Sequence, residues 1–154
     1  FKVYLPALEE SAARTVKSVP TVAPSGGYET VLVVEDEAAV RLLATRCLKQ
    51  AGYKILEAGD GVQALDVWSA HKDRIELLLT DMVMPEGMTG RELARQCQAD
   101  KPSLKVLYSS GYSVEARSGE FRLADGVNFL PKPYAPSRLL KVVRDCLDQP
   151  VDKA

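Results

Sequence analysis

Five short apolar runs, separated by segments of helical period, constrain this chain more than any other feature. Thr30–Val34, Tyr53–Glu57, Ile75–Thr80, Lys105–Ser109 and Val127–Leu130 each have the length of a strand. They are apolar on both faces, as strands buried in a parallel sheet are. Between the first two, Val40, Leu43, Ala44, Cys47 and Leu48 fall at helical spacing, and Gly52 stops that helix. Asp60, with Gln63 three residues on, caps a second helix that should carry Val62, Leu65 and Trp68 toward the core.

Thr89 with Glu92 forms a capping box for a helix through about Ala99. A weaker helical segment follows Ser113 and ends before Gly126, and Pro136 suits the first turn of a last helix, Ser137–Asp148. Ala135 is a poor cap for that helix. Five strands alternating with five helices predict an α/β fold: a doubly wound parallel sheet in the order 2-1-3-4-5, flavodoxin-like, with helices on both faces. Sheets of this kind bind ligands beyond the carboxyl ends of their strands, where the strand order reverses.

The residues at those ends are unusual. Glu35 and Asp36 follow the first run, Asp81 follows the third, and Lys132 follows Asn128-Phe129-Leu130-Pro131 and precedes Pro133. In a parallel sheet all four side chains crowd one edge. Two carboxylates in such a place repel and raise each other's proton affinity. A hard divalent cation removes the conflict, and Mg²⁺ takes oxygen ligands while keeping several waters. Asp36, Asp81 and a loop carbonyl are candidate ligands, with the longer Glu35 acting through water. Asp81 is the candidate nucleophile, because a carboxylate can accept a phosphoryl group. Lys132 supplies positive charge on the other side, Ser110 can donate to a phosphoryl oxygen, and Gly111 keeps the approach open. A cis Lys132–Pro133 bond is expected at this turn. Taken singly, an Asp at a strand end is a cap and a Lys before Pro a surface residue; in this order at four strand ends they form a site.

At 154 residues, 46% apolar and 27% charged, the chain fits one globular domain with an appendage. Its net charge of −1 gives no support to nucleic-acid binding. No apolar run approaches the roughly 20 residues of a membrane helix, and no secretory leader opens the sequence. Cys47, Cys97 and Cys146 are too far apart for a zinc site and read as buried apolar thiols in a reducing cytoplasm. His71 lacks the setting of a phosphodonor and reads as a helix-surface residue.

The ordered set Val-Glu-Asp-Glu at 34–37, Thr-Asp-Met-Val-Met-Pro at 80–85, Ser-Ser-Gly-Tyr at 109–112 and Leu-Pro-Lys-Pro-Tyr at 130–134 resembles the receiver domain of two-component response regulators. The resemblance covers about residues 29–149 and leaves 150–154 as a tail. It implies phosphotransfer from a phosphohistidine to Asp81, on a histidine kinase dimerisation domain or a histidine phosphotransfer protein, with the domain catalysing its own aspartyl phosphorylation. It also implies Mg²⁺ held by Asp36, Asp81 and the backbone carbonyl of Val83, with Glu35 assisting. Ser110 is similar to the switch hydroxyl, Phe129 to the switch aromatic, and Lys132 to the lysine that pairs with the phosphoryl group. Glu35 stands where Asp is commoner, Ser110 where Thr is also common, and the Glu86–Gly90 loop is one residue longer than usual.

Residues 1–8 resemble the final strand of a histidine-kinase ATPase domain, and 9–28 read as a linker. Together they imply the C-terminal receiver of a hybrid sensor histidine kinase, cytoplasmic, open to homodimerisation, with no DNA-binding domain after the last helix. Two other classes remain open on the residues. One is a phosphorylation-independent docking or inhibitory module of a sensor kinase. The other is a metal-dependent phosphatase, for which a second acid loop and a cap domain are missing.

Overall fold

The computed structural model describes residues 26–84, 87–111 and 124–150. The elements run β1 (Thr30–Val34), α1 (Ala38–Gln50), β2 (Lys54–Ala58), α2 (Gly61–His71), β3 (Ile75–Asp81), α3 (Gly90–Asp100), β4 (Lys105–Ser110), β5 (Phe129–Pro131) and α4 (Pro136–Asp148). The strands form one parallel sheet in the order β2-β1-β3-β4-β5, as expected. Four helices lie among the described residues; the fifth, expected after Ser113, falls outside them, as do the strand expected at 1–8 and most of the linker.

Side-chain alternation divides the core in two. Leu32 and Val34 of β1, Leu78 of β3, and Val106 and Tyr108 of β4 face Ala64 and Trp68 of α2 and Leu93 and Cys97 of α3. Val31 and Val33, Leu77 and Leu79, and Leu107 face Ala44 and Leu48 of α1 and Leu139, Val142 and Cys146 of α4. Period-two alternation thus buries both faces of each central strand. Cys97 and Cys146 are buried free thiols whose burial pushes both up to about 11, so they stay protonated at neutral pH; Cys47 is half-buried.

The helix boundaries follow from local chemistry. Gly52, at φ +97°, takes the left-handed turn that ends α1. Thr89 and Glu92 form the full capping box, so α3 starts as expected despite the longer loop before it. Pro136 opens α4, which Ala135 leaves without a side-chain cap. Asp60 accepts from the Gln63 backbone N–H at 2.8 Å. Asp60→Ala is expected to cost about 1 kcal/mol, read as a lower urea midpoint at unchanged slope; an unchanged midpoint would mean the cap contributes nothing.

Some expectations need correcting. Val62 does not point to the core: it is 62% exposed, because Gly61, Ala64 and Trp68 define the buried face and Val62 lies about 100° off it. In α1, Ala44, Thr45 and Leu48 form the buried stripe, and Leu43, at helical spacing with them, is 50% exposed. β2 runs Lys54–Ala58 rather than Tyr53–Glu57, although Tyr53 is buried beside it. β5 starts at Phe129, two residues later than expected, because Val127 and Asn128 both donate to Ala124 O in a turn with Gly126 at φ +76°.

Candidate functional site

The carboxyl ends of β1, β3, β4 and β5 meet at one edge of the sheet. Glu35 follows β1 directly, and its backbone N–H donates to Ala58 O at 3.2 Å, tying the end of β1 to the end of β2. Asp81 closes β3 in register with Ser109 of β4, and the next N–H, of Met82, donates to Ser109 O at 2.9 Å. Lys132 follows β5, its backbone N–H donating to Ser110 O at 2.9 Å, and the Lys132–Pro133 bond is cis as expected. These ladders deliver the candidate side chains Glu35, Asp81, Ser110 and Lys132 at or directly after strand ends.

At the centre, Lys132 Nζ lies 2.5 Å from Asp81 Oδ2 and 2.6 Å from Glu35 Oε2. The other Asp81 oxygen accepts from the Val83 backbone N–H at 3.1 Å. Glu35 and Asp81 are buried and Asp36 is exposed, and one carboxylate oxygen from each lies within 4.8 Å of the others. Burial raises the proton affinity of Glu35, the charges of Asp81 and Asp36 add to that, and Lys132 only partly offsets it. Burial disfavours the Lys132 ammonium, but its hydrogen bonds to Asp81 and Glu35 outweigh this and raise its pKa. Three carboxylates against one ammonium leave an excess of negative charge built from hard oxygen donors. That donor set fits Mg²⁺ and does not suit a thiolate-seeking metal.

Ser110 is buried at the end of β4, in register with Pro131. Phe129 stands back from the cluster, opposite Tyr108, half-buried against the Met82 and Tyr108 side of the core. Val83 is exposed at the rim. Tyr134 packs on the α1–α4 side; burial, and then the charge of Glu35, push its phenol up to about 12.

One residue was missed. Arg41, in the first turns of α1, donates from Nη1 to Glu35 O at 2.5 Å and lies 3.4 Å from Asp36 O. A cation there opposes the helix dipole, and that anomaly was the available signal. Gly90 also matters, since a Cβ there would lie 2.0 Å from Asp81 O. A cavity of about 950 Å³ opens at the other end of the sheet, around Glu29, Lys54 and Glu76. There Lys101 donates to the carbonyls of Lys72, after α2, and of Ile75, at the start of β3, and Lys105 donates to those of Gln149 and Pro150, after α4.

The family model described as the response regulator receiver domain matches residues 31–144. The chain is 34% identical over 156 residues to the sensor kinase CckA of Brucella abortus, covering 97% of this chain and 16% of that protein. It is 27% identical to the sporulation initiation phosphotransferase F of Bacillus subtilis, over 77% of this chain and 94% of that one. Among solved structures, the receiver domain of a hybrid histidine kinase CckA is 37% identical, with a TM-score of 0.62 over 77% of this chain and 98% of that one.

Proposed function

Because this chain belongs to the response regulator receiver domain family of two-component systems, we propose that Asp81 accepts a phosphoryl group from a phosphohistidine and that the domain switches conformation as a result. The observation that carries this reading is the buried Asp81 carboxylate, 2.5 Å from the Lys132 ammonium and beside the Glu35–Asp36 pair. An Asp81 oxygen forms the new P–O bond as the P–N bond to the donor imidazole breaks. The electron pair stays on the imidazole nitrogen, which then takes a proton from water. Positioning and charge neutralisation supply the rate.

Lys132 leaves its share of Asp81 to pair with the arriving phosphoryl oxygens. Glu35, Asp36, Asp81 and the Val83 carbonyl would hold Mg²⁺, with Glu35 acting through water. When bound, that ion neutralises charge on the transferring group. Ser110 then donates to a phosphoryl oxygen, and Phe129 moves into the space left. Phosphorylation replaces the single charge of the Asp81 carboxylate with a phosphoryl group carrying nearly two, so the equilibrium between two packings shifts on the face made by β5 and α4.

The donor is a histidine kinase dimerisation domain or a histidine phosphotransfer protein. The chain spans only a small part of the sensor kinase it matches, but that alignment runs through the leader before Gly26. This supports the reading of a hybrid-kinase receiver preceded by a linker. No helix among the described residues is long and apolar enough to cross a membrane.

Intact mass after acetyl phosphate treatment tests the proposal. Wild type is expected to gain one phosphoryl unit with Mg²⁺ and none without it, and Asp81→Asn to gain none. Labelling of Asp81→Asn would move the acceptor elsewhere. An unlabelled wild type would leave a docking module as the better reading.

A further inference from the structure

We propose that Arg41 is a positioning residue, one that holds the Glu35–Asp36 turn in the geometry its carboxylates need to bind a divalent cation; the inference rests on the receiver reading above. Glu35 is buried and the hydrogen bond to its carbonyl is part-buried, so leaving that carbonyl without a partner would be costly. Its N–H is already committed to Ala58 O. Arg41 Nη1 supplies the partner for the carbonyl at 2.5 Å and reaches the next carbonyl, of Asp36, at 3.4 Å. One guanidinium therefore spans two successive peptide groups, and those peptides carry two of the three clustered carboxylates.

Among the described residues, no side chain caps the start of α1. Glu37, the N-cap residue, makes no side-chain cap. Arg41 is also wedged against the neighbouring turn: a Cβ on Gly59 would sit 3.4 Å from its Nη1. Gly59 is itself held, its N–H donating to Gln63 Oε1 at 3.2 Å. The guanidinium is thus packed between the turn after β1 and the turn after β2. Both carbonyl contacts come from the one nitrogen, Nη1, at the end of the side chain.

The sign of the effect separates this role from a bystander charge. A cation near a cation site repels the incoming ion, so deleting a bystander would tighten Mg²⁺ binding. Deleting a clamp would loosen it, because groups that orient metal ligands typically contribute 10–100-fold in affinity. Calorimetric titration with Mg²⁺ at matched ionic strength reads the difference on wild type, Arg41→Met and Arg41→Lys. Arg41→Met is expected to raise the Mg²⁺ Kd on the order of tenfold. Arg41→Lys, which keeps one donor, should recover most of that loss.

Equal or tighter binding by Arg41→Met beside a wild type that binds overturns the clamp and leaves the receiver reading intact. A wild type that takes up no Mg²⁺ overturns both. If Arg41→Met does not fold, Arg41→Gln decides, since it drops the charge and shortens the reach: weaker binding than wild type supports the clamp, and tighter binding refutes it.

Discussion

Lys132→Met is expected to destabilise the domain by about 3 kcal/mol at neutral pH and to slow phosphorylation of Asp81 on the order of a hundredfold. The stability loss comes from what stays behind. Lys132 bridges Asp81 Oδ2 at 2.5 Å and Glu35 Oε2 at 2.6 Å. Without it, two buried carboxylates face each other with no countercharge. Breaking such a set by removing one partner is far more costly than the net contribution of the set. Lys132→Met combined with Asp81→Asn should therefore be more stable than Lys132→Met alone, because the second change removes a stranded charge.

The pH dependence has a definite sign. Glu35 has a folded pKa raised above its unfolded value of 4.5. Between those two values the folded state holds the proton more tightly, so stability falls as pH rises through that window. Removing Lys132 widens the window, and the variant should recover part of its loss as pH drops from 7 toward 4.5. Lys132 has a folded pKa raised above 10.5. Its contribution in the wild type is fully present below 10.5 and is lost as pH rises through the folded value. Urea unfolding at several pH values checks both arms. A Lys132→Met midpoint equal to wild type at pH 7 would show that water or counterions screen the cluster.

Asp81 and Lys132 were legible in the sequence for a simple reason. A charge that directly ends an apolar strand cannot follow the strand's alternation into the core, so it must stand at the sheet edge. Repeating that at several strand ends specifies a site, and parallel order brings the ends together. Val62 lies off the core because α2 carries apolar residues on more than one face, and only packing selects between them. Val127 looked like strand because it is apolar, while the turn at Ala124 is set by backbone hydrogen bonds that leave no mark on its side chain. Arg41 is harder still. Its partners are carbonyls, which every residue has, so the one mark in the sequence is a cation placed against the dipole at the start of α1, and that mark does not name the partners.

Gly90→Ala is the other large effect, and local propensity predicts the wrong sign for it. Gly90 is the first residue of α3, where exchanging Gly for Ala would ordinarily stabilise a helix, by up to about 1 kcal/mol in the interior. A Cβ at this position would lie 2.0 Å from Asp81 O and 2.9 Å from Thr80 Oγ1. The first contact is with backbone, and that backbone is held: Asp81 O accepts from Thr80 Oγ1 at 3.0 Å, and Gly90 N–H donates to Met82 O at 3.3 Å. Either α3 moves away from β3 or the end of β3 shifts. Overpacking of this kind costs about 3 kcal/mol at its upper end, which exceeds the propensity gain. The net is a loss of about 2 kcal/mol, several degrees in Tm for a domain of this size. The shift also displaces Asp81, the proposed phosphoacceptor. Misplacement near 1 Å at a reacting centre costs about a hundredfold in rate, so the folded fraction of Gly90→Ala should label far more slowly than wild type. A Tm at or above wild type, with unchanged labelling, would mean that α3 can retreat from β3 freely. In that case the close approach would position nothing.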